Sequence, residues 1–296
     1  MKPLLSPKVD FVFKKIFGSE GSEIILTSFL NAILKTNNIK TVNIKNIHSE
    51  KDYIIDKFSR IEVQATTECG NLINIELQLM RYYTKYYMTQ QTLYYWSKLY
   101  GSQLSENENY DKLNKTICIN ILDFEFLKND NFHHCFKLKE KTTNEELTDL
   151  QELYFVEIPK SKEPQNENDL LGIWMEFLKN PSGEIIATLE IKNELIKKAL
   201  DKLSIISNKA TDIAIYNERL KILRDEKSAL ETAELRGKAE GIKEGKIEAK
   251  KEGKIEGQIE VYYLEVGLSA QKIAEKLDVS INIVENTIQN LLKQST

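Results

Sequence analysis

Apolar and polar positions alternate along this chain in three distinguishable ways. FVFKKIF and SEIILTSFLNAIL carry their apolar residues three and four apart, which predicts two short helices over 9–17 and 22–35. TVNIKNIH (41–48) reads as a strand, and strands over 53–66 and 71–80 follow, separated by TECGN. YYTKYYMTQQTLYYWSKLYGSQL (82–104) returns to helical spacing with a thick aromatic face, read as core packing in preference to a base-stacking surface. KTICINILDFEF (115–126) is apolar without interruption, as a strand buried on both faces is, and ELYFVEIPK (152–160) is a further strand. Helix, three strands, helix, strand describes an α/β sandwich.

Beyond the polar loop 161–170 the pattern stays helical to about 235, broken most clearly at Asn180-Pro181 and Gly183. The next segment, 236–262, differs in kind. Gly237, Gly241, Gly245, Gly253 and Gly257 fall on a four-residue period with Ala249 in the missing place. Each Gly costs a helix interior about 1 kcal/mol relative to Ala, so the five together weigh against a lone helix by about 5 kcal/mol. Two readings stand: a self-associating helix in which small residues permit close approach, or a charged flexible linker. Residues 263–296 form a helix pair, the first capped at Ser269 and the second starting just after Ser280. Its outline matches a helix-turn-helix, but INIVENTIQNLLK is poor in Lys and Arg, favouring a capping or dimerising role over DNA contact. Three parts result: a domain over 1–235, the repeat over 236–262 and the pair over 263–296.

Two strands carry the candidate chemistry. In FSRIEVQA, Ile61, Val63 and Ala65 share one face, and Arg60, Glu62 and Gln64 the other. In NLINIELQL, Ile73, Ile75, Leu77 and Leu79 oppose Asn74, Glu76 and Gln78. The polar faces coincide only across a loop with an odd number of residues. Glu68-Cys69-Gly70 satisfies this, with Gly70 free to adopt the left-handed conformation such a loop demands. Glu62 then lies opposite Glu76, Gln64 opposite Asn74, and Arg60 opposite Gln78. A buried pair of carboxylates so placed needs a divalent cation, a shared proton or Arg60. Mg²⁺ suits all-oxygen ligation.

Composition narrows the remainder. The 296 residues are 41% hydrophobic, enough for a real core. No apolar run is long enough for a membrane span and MKPLLSPKVDFVFKK lacks the features of a signal peptide, so a cytoplasmic chain without membrane partners is expected. Three cysteines without CxxC spacing argue against disulfides and structural zinc. His133, His134 and Cys135 are adjacent on an extended segment and point to alternate sides. A net charge of −4 requires any DNA contact to come from a local basic surface.

LLSPKVDFVFKKIFG, FLNAIL, DKFSRIEVQA, NLINIELQ, LYYWSKLYGSQL, INILDFEF and YFVEIPK followed by Trp174 occur in an order that resembles the PD-(D/E)XK family of recombination-promoting nucleases and transposases, over most of residues 4–178. The resemblance implies a restriction-endonuclease-like core, a central mixed sheet flanked by helices, with a helical C-terminal extension. It further implies a Mg²⁺-dependent DNA endonuclease, with Mn²⁺ as the alternative ion, acting in recombination, mobile elements or defence. Glu76 and Gln78 match the family's E-x-Q, Gln standing where related enzymes have Lys. By that resemblance Glu76, Glu62 and the Leu77 carbonyl are metal ligands and Gln78 orients the attacking water. Glu62 occupies the place of the usual Asp. Asp10 and Asp56 are secondary candidates. The rival reading is a chain that has lost catalysis and serves as a DNA-binding or oligomerising protein.

Overall fold

In the computed structural model, residues 3–45, 62–79 and 85–294 are described. Two helices, α1 (Asp10–Phe17) and α2 (Glu23–Leu34), precede β1 (Val42–Lys45), β2 (Glu62–Thr67) and β3 (Leu72–Gln78). Helix α3 (Lys85–Gly101) leads to β4 (Thr116–Leu122), β5 (His133–Phe136) and β6 (Gln151–Glu157). The strands form one six-stranded mixed sheet in the order β1-β2-β3-β4-β6-β5. β1, β2 and β3 pair antiparallel, β3, β4 and β6 parallel, and β5 lies antiparallel on β6. The parallel pair β3 and β4 is joined through α3, the crossover that parallel strands require.

Two expected strands stop short for identifiable reasons. β4 ends at Leu122 because Asp123 turns to meet Lys8 at 2.7 Å and the Phe126 amide donates to Glu157 at 2.6 Å. β6 ends at Glu157, and Pro159 directs Ile158–Lys160 into a 3₁₀ turn. β5 was not among the expected sheet strands.

The sheet is covered differently on its two faces. Val63, Ala65, Ile73, Ile75, Leu77, Ile117, Ile119, Ile121 and Val156 belong to one large core with α1, α2, α4 (Leu170–Lys179), α5 (Glu184–Lys192) and α6 (Glu194–Asn208). Within it Trp174 meets Phe17, Phe29 and Phe177 edge-on at centroid distances of 5.6, 5.6 and 5.7 Å. Such pairs add about 0.5–1.5 kcal/mol each beyond the area they bury.

The opposite face carries a smaller core of Met88, Cys118, Leu122, Phe126, Leu153 and Phe155. α3 lies on this side, with the buried Met88 and Thr92 and the partly buried Trp96 spaced one turn apart and Trp96 Nε1 donating to the Thr116 carbonyl at 2.9 Å. This corrects the expectation that the tyrosines of α3 pack in the core. Tyr87 and Tyr94 are 46% and 62% exposed. They stand about 100° or more around the helix from the Met88–Thr92–Trp96 row, on the solvent side.

Helix α7 (Ala210–Glu260) runs for 51 residues without a break, through every glycine of the repeat. A π-helical turn, Val261–Glu265, leads to α8 (Ala270–Leu277) and α9 (Ile281–Gln294), separated by Asp278 in the left-handed conformation. The chain divides into two compact units, Met1–Lys227 and Ser228–Thr296. In the second unit Ile255, Ile259, Ile273, Ala274, Val284 and Ile288 form a small core. No helix among the described residues is long and apolar enough to cross a membrane.

Candidate active site

The site is built from the hairpin. Thr67 and Asn71 close it: the Thr67 amide donates to the Asn71 carbonyl at 3.0 Å, and the Gly70 amide to the Thr67 carbonyl at 2.9 Å. The loop therefore holds three residues, Glu68, Cys69 and Gly70, and Gly70 has φ +85°. The resulting register sets Glu62 against Glu76 and Gln64 against Asn74, as the parity of the loop requires.

The phase of the ladder matters as much as its register. Because Thr67 and Asn71 are a hydrogen-bonded pair, Glu62 and Glu76, an odd number of steps away, are a non-hydrogen-bonded pair, the kind with Cα atoms about 4.5 Å apart. The same phase turns the peptide groups of Leu72, Asn74, Glu76 and Gln78 toward β4: the Leu72 amide donates to Lys115, and the Gln78 carbonyl accepts from Asp123 at 2.9 Å. The Leu77 carbonyl accordingly points to the β2 side.

Glu76 is buried, with 6% of its surface exposed. Across the parallel ladder its partner is Asn120 of β4, then Phe155 of β6. Asn120 is held on both sides: its Oδ1 accepts from the Thr92 hydroxyl of α3 at 3.1 Å, and its Nδ2 donates to the Tyr154 carbonyl at 3.2 Å. Asn74, one row away, is also buried, and its Oδ1 has no hydrogen-bond partner among the described residues. Gln78, on the same face as Glu76, ends β3 half-buried.

These donors fit a hard divalent cation. Glu76 supplies a buried carboxylate, and Glu62 is its register partner on β2. Asn74 Oδ1, without a hydrogen-bond partner among the described residues, is an amide oxygen on the same face as Glu76, while the buried Cys118 opposite Asn74 is a soft donor. No three His, Cys, Asp or Glu side chains converge among the described residues, so the fit rests on carboxylate and amide oxygens together with water.

The other candidates go elsewhere. Asp10 begins α1, in the layer on the far face of the sheet; it accepts from the Phe11 amide at 2.7 Å and lies 3.9 Å from Arg219 Nη1. Burial pushes its carboxyl above the usual range against the pull of Arg219. Asp56 and Arg60 lie outside the described residues. His133 and His134 diverge, His133 Nε2 donating to the Ile33 carbonyl at 2.6 Å and His134 Nε2 to that of Asn131 at 2.8 Å.

A model of the family described as PD-(D/E)XK nuclease family transposase matches residues 7–233. The chain belongs to this family. No curated protein and no solved structure matches it. The mixed sheet with flanking helices fits the α/β nuclease core of that family, and Glu76 and Gln78 lie on its strand β3. Sequence reasoning passed over Asn120 and Thr92. Asn120 was detectable as a lone amide inside the apolar run TICINIL; Thr92 carried no such signal.

Proposed function

We propose that this PD-(D/E)XK family member is a Mg²⁺-dependent endonuclease that hydrolyses DNA phosphodiester bonds in recombination, mobile-element movement or defence, with Mn²⁺ the alternative ion. The observation that carries the reading is the register of Glu62 against the buried Glu76. Opposed like charges repel, and a divalent cation between two such carboxylates offsets both the repulsion and the cost of burial. A bound divalent ion lowers the pKa of a coordinated water and offsets charge gathering on the phosphate. Glu76, Glu62 and the Leu77 carbonyl hold the ion. The Gln78 amide accepts from or donates to the attacking water and fixes its approach; being neutral, it leaves the neutralising of charge to the cation. Asn120, locked by Thr92 and Tyr154, packs beside Glu76 and limits where its carboxylate can move.

The test is nicking of supercoiled plasmid DNA by the purified chain with and without Mg²⁺. Cleavage is expected with the ion alone, and Glu76→Ala is expected to abolish it; cleavage surviving that change overturns the assigned site. The replacement of Asp by the longer Glu62 favours a second reading, in which catalysis has lapsed and the chain binds DNA or partners. That reading is supported instead if the native chain is inert and Glu62→Asp cleaves.

A further inference from the structure

The tetrapeptide repeat of α7 sorts its residues into four ridges. With four residues per repeat, each ridge advances about 40° around the helix per repeat, and the four stand about 90° apart. The first is Gly237, Gly241, Gly245, Ala249, Gly253 and Gly257. On one flank lie Lys238, Lys246, Lys250 and Lys254; on the other, Glu240, Glu244, Glu248, Glu252, Glu256 and Glu260. The ridge opposite the glycines contains Ile255 and Ile259, which pack against α8 and α9. The small core of this unit thus occupies the back of the helix, and a Cβ added at any of the five glycines meets nothing within 4 Å.

Within the ridge the glutamates stand four residues apart, a repulsive spacing relieved along the helix only by Arg236, four before Glu240, and by Lys243 and Lys251, three after Glu240 and Glu248. The lysine ridge lies on the far side of the glycines, beyond reach of the glutamates along the same helix. Exposure adds to this: all residues from 227 to 254 are exposed, with Leu235 and Ile242 at 68% and 61%.

We propose that residues 237–260 pair with the same segment of a second copy, parallel and in register, with the small-residue ridges forming the seam. In a parallel pair, two-fold symmetry places the lysine flank of one helix against the glutamate flank of the other. An antiparallel pair sets Lys against Lys and Glu against Glu, so charge complementarity selects the parallel arrangement. A period longer than 3.6 residues winds the seam to the right, and the absence of side chains lets the backbones approach closely, the geometry of small-xxx-small crossings. Pairing of this segment is independent of the nuclease reading.

Three measurements on the full chain test it. Sedimentation equilibrium is expected to show a dimer at micromolar concentration; a monomer there overturns the proposal. Gly245→Leu, which favours helix but fills the seam, is expected to raise the dimer dissociation constant by about tenfold or more with helicity undiminished. Dimerisation unchanged by this variant removes the seam. With Cys69 and Cys135 replaced by Ser, Gly241→Cys chains are expected to form disulfide dimers with one another, because in-register glycines bring the two Cα atoms within disulfide reach. Preferential cross-linking of Gly241→Cys with Gly253→Cys chains indicates the antiparallel pair and overturns the proposal.

Discussion

Glu152 shows at the scale of one residue how a buried charge is made tolerable. It sits on β6, 5% exposed, with Lys115 Nζ at 2.7 Å, Lys137 Nζ at 3.1 Å and the Tyr154 hydroxyl donating at 2.9 Å. Burial alone would raise its carboxyl; hydrogen bonds from Lys115, Lys137 and Tyr154 outweigh it and hold the group below its ordinary 4.5. A carboxylate with a depressed folded-state pKa stabilises the fold above its unfolded value and loses that contribution as pH falls through the folded value. Glu152→Gln is therefore expected to destabilise the protein at neutral pH by roughly 1–3 kcal/mol, since it takes from Lys115 its carboxylate and leaves Lys137 to Glu146 alone, and to flatten the loss of stability below pH 4.5. Urea denaturation at neutral and acid pH measures both, and a variant as stable as the native chain at pH 7 refutes the assignment. Asn120 bears on the site in the same manner. Asn120→Leu keeps the branched shape but strips Thr92 and the Tyr154 carbonyl of a partner, at an expected cost of about 1–3 kcal/mol. If Asn120 restrains Glu76, Mg²⁺ affinity measured by calorimetry also falls, by roughly 10–100-fold. Thr92→Val, which removes the outer half of the lock, is expected to shift affinity in the same direction by less; a fall in stability with unaltered Mg²⁺ affinity limits Asn120 to packing. That Glu76 and Gln78 share a face of β3 was legible because strand alternation is rigid, whereas the Thr92–Asn120 contact joins residues 28 apart through tertiary packing that no periodicity encodes.

Among the elements, the β2–β3 hairpin converts a short loop into the geometry of the site. Gly70 has φ +85°, and a Cβ there would meet Asn114 Oδ1 at 2.9 Å. Gly70→Val is expected to lower stability by about 1–2 kcal/mol or more through conformational strain alone, with the crowding of Asn114 added. A thermal melt reads the effect, and an unchanged melting temperature contradicts the role given to this glycine. The register of the hairpin from Glu62 to Leu72 was readable because turn length, glycine position and two-residue alternation independently require it. β5 was not, since HHCF is four residues long and owes its strand conformation to pairing with β6. The face of α3 misled for a related reason. Its aromatics recur at helical spacing, but the sheet beneath it presents Asn120 and takes Thr92, so Tyr87 and Tyr94 remain outside. Helix α7 was ambiguous because five glycines oppose helix formation locally, and a sequence read alone does not reveal what compensates them.

For the whole molecule, the family match over 7–233 and the compact unit Met1–Lys227 nearly coincide, yet both boundaries fall inside α7. The first turns of that helix are bound to the nuclease core by specific contacts. Asp212 pairs with Lys15 at 3.3 Å, the Tyr216 hydroxyl accepts from the Ser6 amide at 3.3 Å, and Arg219 lies 3.9 Å from Asp10. Ile215 and Leu220 add apolar contact with the main core, whereas residues 227–254 are exposed throughout. Stability of the nuclease unit should therefore depend on α7 as far as about Leu220 and little on the rest of the helix. A chain ending at residue 235 is expected to fold, keep the melting temperature of its first unit within a few degrees and, under the proposed function, retain Mg²⁺-dependent nicking. A chain ending at residue 209 removes Asp212 from Lys15 and Arg219 from Asp10 and uncovers the apolar surface under Ile215 and Leu220, so its stability should fall markedly, by several kcal/mol in total. Calorimetry of the two truncations decides between this division of labour and one in which the C-terminal unit supports the fold: equal melting of both chains, or loss of folding in the longer one, excludes it.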